Sequence, residues 1–217
     1  MSIIVKITDD GSKTLFLPEM NETYHSIFGA KTESEHVFIK AGYKLFAQQK
    51  LNILEIGMGT GLNVFLTYLH HNNDNKEIYF ETLEKYPLNE HLYKELNYAI
   101  TDENKLIFSQ IHTSNWNEII YLNKSFLLHK KQIDLLDFSS ENKFDLVYFD
   151  AFDPAKQPEL WTEKVFQNIY NHMNTDGILV TYSAKGTVRR ALQSVGFCVE
   201  KIPGPPGKRE MIRASKP

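Results

Sequence analysis

A short apolar run followed by three evenly spaced glycines is the feature that most constrains how this chain can fold. Residues 51–61 read LNILEIGMGTG, with the single acid Glu55 inside the run and a glycine at every second position after it. Such a run is typical of a buried parallel strand, and the glycines let the backbone turn sharply and approach a ligand closely. Residues 62–71 can form a helix whose free N–H groups point back at that ligand. The segment therefore predicts the strand, loop and helix that open a nucleotide-binding α/β domain.

The spacing of the glycines narrows the class of nucleotide. A dinucleotide-binding loop, G-x-G-x-x-G/A, needs a small residue immediately after Gly61, and this chain has Leu62 there. The pattern Glu-x-Gly-x-Gly-x-Gly instead resembles the loop of S-adenosylmethionine-dependent methyltransferases. A glycine-rich turn without a ligand is the alternative that the loop alone leaves open. We expect S-adenosyl-L-methionine as the cofactor, bound by Glu55, Gly57, Gly59, Thr60 and Gly61.

Composition favours a globular protein with a full hydrophobic core. Of the 217 residues, 42% are hydrophobic and 12% are aromatic, which suits one α/β domain with an N-terminal extension. Cys198 is the only cysteine, so disulfide frameworks and cysteine metal sites are excluded within one chain. Because neither an 18-residue apolar run nor a signal peptide occurs, we expect a soluble cytoplasmic protein that does not enter a membrane.

Apolar periodicity predicts alternating strands and helices after an N-terminal hairpin. The hairpin comprises residues 3–8 and 14–17, and after an irregular stretch the pattern Thr32-x-x-Glu35 predicts the capped start of a helix. Further strands are predicted at 51–56, 77–83, 125–133, 144–149, 176–182, 197–202 and 209–214. Helices are predicted at 62–71, 88–100, 162–173 and 186–195, with one or two more within 104–122.

This order of elements predicts an α/β fold with a parallel sheet and right-handed crossovers. The close final pair of strands predicts an antiparallel C-terminal edge, which is typical of a methyltransferase sheet rather than a dinucleotide-binding sheet. We expect an N-terminal β-hairpin and helix extension over residues 1–48 and a Rossmann-like class I methyltransferase domain over residues 49–217. Ligands of such open sheets bind beyond the carboxyl ends of the strands.

Two acids lie at predicted strand ends, where a nucleotide would bind. Glu84 follows the second strand, and a carboxylate there can accept hydrogen bonds from both hydroxyls of a ribose. Asp134 follows the third strand and can accept a proton from an adenine amino group. Gln132 and Asp137 remain alternatives to Asp134, because the end of this strand is not sharply defined.

The segment DAFDPAKQP at residues 150–158 follows the fourth strand, where substrate and cofactor would meet. Asp150 comes directly after an apolar run, and a partly buried carboxylate at such a place usually has a task. Pro154 stiffens the loop. Phe152 and Trp161 are able to stack on a planar group such as a base. The alternative is an acid that caps the turn after the strand.

Charge is distributed unevenly along a chain whose formal net charge is −3. From residue 185 onward there are eight basic residues and two acids. A basic C-terminal face of this kind can hold an anionic partner locally, although a solvated surface explains it equally well. In the N-terminal part His25, Glu33 and His36 suggest a metal, but their spacing matches no metal-binding motif, so no metal site is predicted.

The chain resembles the tRNA 5-methylaminomethyl-2-thiouridine methyltransferases of the MnmD type, which correspond to the methyltransferase half of bifunctional MnmC proteins. The matching segments extend from about residue 10 to residue 211 and include LEIGMGTGLN, LEKYPL, FDAFDPAKQPELW, GILVTYSAKGTVRRAL and PGPPGKREM. Residues 104–123 have little that matches. The resemblance implies a class I methyltransferase fold, S-adenosylmethionine as cofactor and modification of the wobble uridine in the anticodon region of tRNA.

The resemblance also implies roles for individual residues. The reaction would convert a 5-aminomethyl group to 5-methylaminomethyl, with Asp150 orienting the amine or accepting its proton, directly or through water. Phe152 and Trp161 would hold the uracil ring. The remaining residues expected to bind substrate, by closing the pocket or contacting tRNA phosphates, are Tyr24, His25, Glu33, Ser34, Pro154, Tyr182, Lys185, Arg189, Lys208 and Arg209. The oxidoreductase half of the bifunctional proteins is not expected in 217 residues, so a separate oxidoreductase is a conceivable partner.

Three other functions remain open from the sequence. A polyamine aminopropyltransferase shares this fold and also has an acidic loop after the fourth strand. An NAD-linked oxidoreductase is disfavoured by Leu62. A non-catalytic RNA-binding module would need the basic face but not Glu55, Glu84 or the glycines.

Overall fold

A mixed β-sheet flanked by helices forms the centre of the computed structural model, which describes residues 3–74 and 76–217. Within these ranges the central sheet has eight strands. They are β4 (Lys50–Ile56), β5 (Glu77–Glu84), β6 (Ile119–Asn123), β7 (Phe126–Gln132), β8 (Phe144–Phe149), β9 (Met173–Thr181), β10 (Cys198–Pro203) and β11 (Glu210–Ser215). A smaller N-terminal sheet comprises β1 (Ile4–Ile7), β2 (Lys13–Leu17) and β3 (Glu22–Thr23). The helices are α1 (Ala30–Ser34), α2 (Leu62–Asp74), α3 (Glu90–Tyr93), α4 (Asp102–Thr113), α5 (Glu163–Asn171) and α6 (Gly186–Ser194).

The strand order of the central sheet is β10-β11-β9-β8-β4-β5-β7-β6. The strands from β9 to β7 in this order run parallel to one another. At one edge β11 pairs antiparallel with β9 and β10 pairs antiparallel with β11, so the predicted fold class with its antiparallel C-terminal edge is confirmed. The sheet has core on both faces, because neighbouring residues of a strand point to opposite sides. Ile53 packs into one hydrophobic cluster, and Leu54 packs into the other.

The other edge of the sheet corrects the prediction of helix throughout residues 104–122. Helix α4 ends at Thr113, and β6 pairs antiparallel with β7 in the register Ile119↔His129 and Ile120↔Leu128. The run IIYL is rich in β-formers and was the available signal for a strand. Pairing with β7 satisfies its backbone hydrogen-bonding groups along the inner side, which an isolated helix in this stretch would not improve.

The predicted helix over residues 88–100 is also wrong, because only Glu90–Tyr93 is helical. The rest of this segment is irregular but buries Leu96 and Tyr98. The Asn97 side chain donates to the Gly11 carbonyl at 2.9 Å and accepts from the Lys13 N–H at 2.8 Å. These contacts with the N-terminal hairpin replace the local hydrogen bonds of a helix.

The N-terminal segment differs from its predicted form in two places. Residues expected to be irregular contain β3, which pairs with β2. The helix begins at Ala30, two residues before Thr32, and continues as a π-helical turn at Glu35–Lys40. Thr32 is not its N-cap: both its N–H and its hydroxyl donate to Asp10 Oδ2, at 2.9 and 2.8 Å. The predicted division into domains at residue 48 stays a prediction.

The parallel strands bring three chain segments together at one edge. The N–H of Gly57 donates to the Leu83 carbonyl at 3.0 Å, and the N–H of Asp150 donates to the Ile56 carbonyl at 3.0 Å. The carboxyl ends of β4, β5 and β8 are therefore laced to one another. No helix in the described ranges is long and apolar enough to cross a membrane.

Candidate active site

A cavity of about 980 Å³ lies at the carboxyl ends of β4, β5 and β8. It extends from the glycine loop to the N-terminal segment and to the loop that joins β10 and β11. The sequence-predicted site residues in its wall are Tyr24, His25, Glu33, Gly57, Gly59, Thr60, Glu84, Asp134, Asp150, Phe152, Tyr182 and Lys208. The tertiary fold thus gathers most of the candidates around one space.

The glycine loop forms one wall, and its backbone requires glycine. Gly57 and Gly59 have φ values of +85° and +50°, which residues with a Cβ rarely adopt. A Cβ at Gly57 would lie 2.9 Å from the Asp150 carbonyl oxygen, and one at Gly59 would lie 2.9 Å from Tyr24 Cδ1. Gly61 has a φ of +72° but lies outside the wall, where a Cβ would meet the His112 ring. Its predicted cofactor contact is not favoured by this placement.

Glu84 connects the end of β5 to the glycine loop. One carboxylate oxygen accepts from the Gly59 N–H at 3.0 Å, and the other accepts from the Tyr86 N–H at 2.8 Å. Burial raises the pKa of this carboxyl, against the effect of the backbone donors. The two backbone donors hold the carboxylate rigidly in the cavity wall, which is the condition for orienting a bound diol.

Asp134 lies in the same wall, on the far side of Glu84. Its Oδ2 accepts from Lys85 Nζ at 2.7 Å, and its Oδ1 accepts from the Leu136 N–H at 2.9 Å. The hydrogen bond from Lys85 and that backbone donor lower the pKa of the carboxyl. Asp134 is therefore a charged acid that caps a short turn and faces the cavity.

Glu55 is not in the cavity wall, which corrects its predicted contact with the cofactor. Its side chain is fully buried on β4 next to Thr82 of β5, whose hydroxyl donates to Glu55 Oε2 at 2.6 Å. Burial is the main reason that the pKa of this carboxyl is raised well above its ordinary value. The side chain lies beneath the loop, because strand residues alternate between the two faces of the sheet.

Asp150 lies at the centre of the site, directly after β8. Asn63 Nδ2, in the first turn of α2, donates to Asp150 Oδ2 at 2.8 Å. Burial and the nearby Glu33 carboxylate raise the pKa of Asp150 to about 7, while Asn63 and Lys208 act in the opposite direction. A carboxyl group with this pKa exists in both protonation states near neutral pH.

Aromatic rings and one ion pair surround Asp150. The rings of Tyr24 and Phe152 meet edge to face at a centroid distance of 5.1 Å. Lys208 Nζ lies 3.9 Å from the centroid of the Tyr182 ring and 2.9 Å from Glu33 Oε1. The Tyr182 hydroxyl donates to the Ala151 carbonyl at 2.9 Å, which orients this ring beside the Asp150 loop. The cavity therefore offers flat apolar faces next to a pair of acids.

The N-terminal segment is held against the glycine loop by buried polar contacts. The His25 ring and the Thr60 hydroxyl are hydrogen-bonded at 2.5 Å, and burial lowers the pKa of His25 to about 4. Glu33 Oε2 accepts from the Ser26 N–H at 2.8 Å, which leaves its other oxygen for Lys208. His25 is thus neutral at pH 7 and acts as a structural contact between the segment and the loop.

Trp161 corrects a prediction, since its ring lies in the core rather than in the cavity. The residue is 6% exposed and packs on Phe149 at a centroid distance of 4.7 Å. Its Nε1 donates to the Phe152 carbonyl at 2.9 Å, so it supports the loop that presents Phe152. An aromatic residue near a strand end is equally suited to core packing, which explains the error.

Five other predicted substrate residues lie outside the cavity wall. Ser34 is fully buried, and its hydroxyl has no partner among the described residues. Lys185 forms an ion pair with Asp153 at 2.5 Å. Arg189 and Arg209 are both electrostatic neighbours of Glu210, on the face next to the cavity opening. Pro154 lies in the loop after Asp150 and makes no wall contact. Direct contact with a bound uridine is therefore not favoured for these residues.

Asn63 is the residue in contact with Asp150 that sequence reasoning missed. It is almost fully buried, and its side chain amide reaches Asp150 from α2. Its type gave no signal, but its position did. The first turn of a helix after a glycine loop points at the strand ends, so a polar residue there lies close to the site.

Comparisons with known proteins agree with this geometry. A family model described as S-adenosyl-L-methionine-dependent methyltransferase matches residues 94–217, which is more than half of the chain. The crystal structure of MnmC2 from Aquifex aeolicus is similar with a TM-score of 0.82 and 26% identity, covering 100% of this chain and 72% of that one. Spermidine synthase from Thermotoga maritima has a TM-score of 0.58 at 16% identity, over 99% of this chain and 73% of that one, and this likeness concerns the fold alone.

Curated relatives carry the name tRNA 5-methylaminomethyl-2-thiouridine biosynthesis bifunctional protein MnmC. The protein from Campylobacter hominis is 29% identical over 209 residues, covering 92% of this chain and 31% of the relative. That from Leptospira interrogans (serovar Lai) is 32% identical over 219 residues, covering 91% and 33%. The chain thus spans about a third of the length of these relatives. The predicted similarity to MnmC proteins is confirmed, and the chain belongs to the family of S-adenosyl-L-methionine-dependent methyltransferases.

Proposed function

We propose that this chain transfers the methyl group of S-adenosyl-L-methionine to the primary amine of 5-aminomethyl(-2-thio)uridine at the wobble position of tRNA, forming 5-methylaminomethyl(-2-thio)uridine. The names of the MnmC relatives support the choice of substrate. The observation that carries the chemistry is the placement of Asp150, an acid with a pKa near 7 in a wall shared with the glycine loop.

The cavity fits the family's cofactor. The close approach of backbone at Gly57 and Gly59 leaves a cradle that a Cβ would fill, and Glu84 presents a rigid carboxylate beside it. We assign the amino acid part and ribose to this region and the adenine to the part of the wall at Asp134. When bound, S-adenosyl-L-methionine supplies a sulfonium methyl group that a neutral amine can displace.

Asp150 would prepare the amine for this displacement. An alkylamine is mostly protonated at neutral pH and has to lose a proton before it acts as a nucleophile. A carboxylate with a pKa near 7 both attracts the ammonium form and accepts a proton from it. Glu33 adds negative charge close to Asp150, while its ion pair with Lys208 limits the net charge of the pocket.

The aromatic side chains would hold the uracil ring. With Trp161 in the core, the rings that face the cavity near Asp150 are Tyr24, Phe152 and Tyr182. Stacking on such rings tolerates the loss of base pairing that a wobble nucleotide suffers when it leaves the anticodon stack. Holding the ring fixes the distance from the aminomethyl group to the methyl donor, which is most of what a displacement reaction requires.

The basic C-terminal face would bind the anticodon region of tRNA through its phosphates. Arg189 and Arg209 lie on it close to Lys208, whose ammonium group reaches into the cavity wall. Contacts of this kind position an RNA without reading its sequence. Recognition of the wobble uridine would then come from the cavity itself.

The decisive experiment is incubation of the protein with methyl-labelled S-adenosyl-L-methionine and tRNA that lacks the terminal methyl, followed by nucleoside mass spectrometry. We expect labelled 5-methylaminomethyl(-2-thio)uridine as the product. A parallel reaction with putrescine and decarboxylated cofactor tests an aminopropyltransferase, the alternative that the shared fold allows. Turnover of putrescine without methylation of tRNA would overturn the proposal.

A further inference from the structure

Two buried oxygen atoms beneath the glycine loop lack a hydrogen-bond partner among the described residues. They are Glu55 Oε1 on β4 and Asn63 Oδ1 on α2. Both side chains are almost completely removed from solvent, and they are neighbours of each other. A buried acceptor without a donor costs about 1 to 3 kcal/mol, so two adjacent ones indicate a hydrogen atom between them.

We propose that Glu55 carries this proton and is a positioning residue for Asp150, acting through Asn63. The proton on Glu55 Oε1 is donated to Asn63 Oδ1. Asn63 is thereby oriented with its Nδ2 toward Asp150, to which it donates at 2.8 Å. The inference deepens the proposed function, because it concerns how the base of that reaction is held.

The contacts of the three residues give the network a single direction. Thr82 donates to Glu55 Oε2 at 2.6 Å, so Oε1 is the oxygen left to carry the proton. The Asn63 amide can turn over in principle, and its two ends differ only in hydrogen bonding. A donor on the Glu55 side makes the observed orientation the favourable one, with the NH₂ group directed at Asp150.

The charged surroundings favour a neutral Glu55. The nearest acids are Asp150 and Glu84, and both repel a second negative charge in the buried position. The Thr82 hydroxyl is the stabilising donor, and burial outweighs it. On its other side Asp150 faces Glu33 and Lys208, which form an ion pair with each other. A proton on Glu55 therefore removes one repulsion from the carboxyl group that has to accept a proton.

The test is the pKa of Asp150, measured in the free protein by ¹³C NMR of aspartate carboxyl groups and assigned with Asp150→Asn. In Glu55→Gln the side chain amide can accept from Thr82 and donate to Asn63, as a protonated glutamic acid would. We expect the pKa of Asp150 to be unchanged in this variant. In Glu55→Leu the donor is lost, and we expect the pKa of Asp150 to rise by about half a unit or more.

A fall in the pKa of Asp150 in Glu55→Gln would overturn the inference, since it would mean that a negative charge had been removed. No change in Glu55→Leu would also overturn it. If Glu55→Leu does not fold, Glu55→Gln alone decides through the sign of the shift. In turnover, Glu55→Gln should restore most of the kcat that Glu55→Leu loses. Because the titration needs neither tRNA nor cofactor, it separates this inference from the proposed function, which fails if the wild-type protein does not methylate tRNA.

Discussion

At the scale of single residues, the chemistry of the site depends on Asp150. Its carboxyl group combines a place in the cavity wall with a pKa near 7, and one backbone bond ties it to β4. The residues that tune it come from distant parts of the chain, with Glu33 and Lys208 on one side and Asn63 on the other. Proximity of these groups is a property of the fold, whereas the acid after a strand is visible in the sequence.

Asp150→Asn should keep the shape of the site and remove the proton acceptor. We expect kcat for methylation of tRNA to fall about 100-fold or more, which is the usual contribution of a general base. Cofactor affinity measured by calorimetry should change little, because the carboxylate is not part of the loop that would hold the cofactor. Full turnover in Asp150→Asn would contradict the assignment of Asp150 as base.

Turnover should depend on pH through the same residue. Asp150 has to be deprotonated to accept a proton, and its pKa is raised to about 7. We therefore expect kcat to rise about tenfold per pH unit below pH 7 and to level off above pH 8. The rising limb should be absent from the residual activity of Asp150→Asn. A wild-type profile that is flat between pH 5.5 and pH 8 would argue against a role for this carboxyl group.

At the scale of elements, the glycine loop and the N-terminal segment build the cavity together. The loop needs positive φ angles, and the segment contacts it through the hydrogen bond between His25 and Thr60. The edge strand β6 and the irregular stretch after α3 show how contacts between elements override local helical patterns.

Gly57→Ala should disrupt the loop rather than merely weaken it. Its φ of +85° costs a residue with a Cβ about 1 to 2 kcal/mol, and the new Cβ would also lie 2.9 Å from a backbone oxygen. We expect loss of cofactor binding by calorimetry and a lower Tm. Gly11→Ala is the matched control, because its φ is +78° but nothing lies within 4 Å of the added Cβ. Equal cofactor affinity in the two variants would refute this account.

Acid should weaken the attachment of the N-terminal segment. The pKa of His25 is lowered to about 4 in the fold, whereas an unfolded histidine titrates near 6.5. Between these values the unfolded state binds more protons, so the free energy of unfolding falls as the pH drops from about 6.5 to about 4. From pH 7 to pH 5 His25 should contribute a loss of about 2 kcal/mol.

Urea unfolding at pH 7 and pH 5 measures this loss. His25→Gln lacks the titrating group, so its free energy of unfolding should depend less on pH than that of the wild-type protein, whatever its value at pH 7. An identical pH dependence in the two proteins would show that His25 is not responsible.

At the scale of the whole molecule, the two ends of the central sheet have different tasks. The carboxyl ends of the strands form the cavity, and the C-terminal hairpin β10–β11 adds a basic face beside it. The loop of this hairpin also reaches the N-terminal segment through Lys208 and Glu33. The first and last parts of the chain thereby meet above Asp150.

Binding of tRNA should depend on Arg189 and Arg209 but not on basic residues at the opposite end of the sheet. We expect the double variant Arg189→Gln/Arg209→Gln to raise KM for tRNA about tenfold and to reduce the salt dependence of binding by about one per lost contact. Lys50→Gln is the control, because Lys50 is exposed at the amino end of β4. Equal effects of salt on wild type and double variant would place the RNA elsewhere.

Local patterns were sufficient for much of the fold. The apolar runs at β4 and β8, the glycine loop and the close C-terminal pair each depend on residues near one another in the chain, so they predicted the sheet and its antiparallel edge correctly. The helix expected at 88–100 failed, because Asn97 finds its partners in the hairpin at Gly11 and Lys13. An apolar helical spacing does not reveal such a distant competitor.

The sequence by itself determined the class of fold, the glycine loop and the acids at the strand ends, because strand burial and turn geometry are encoded in neighbouring residues. Only the tertiary structure decided that Trp161 belongs to the core, that Glu55 lies beneath the loop rather than beside a ligand, and that Asn63 holds Asp150. These outcomes depend on which side chains share a desolvated space. Burial and charge in that space set the pKa of Asp150, and both arise from segments far apart in the chain.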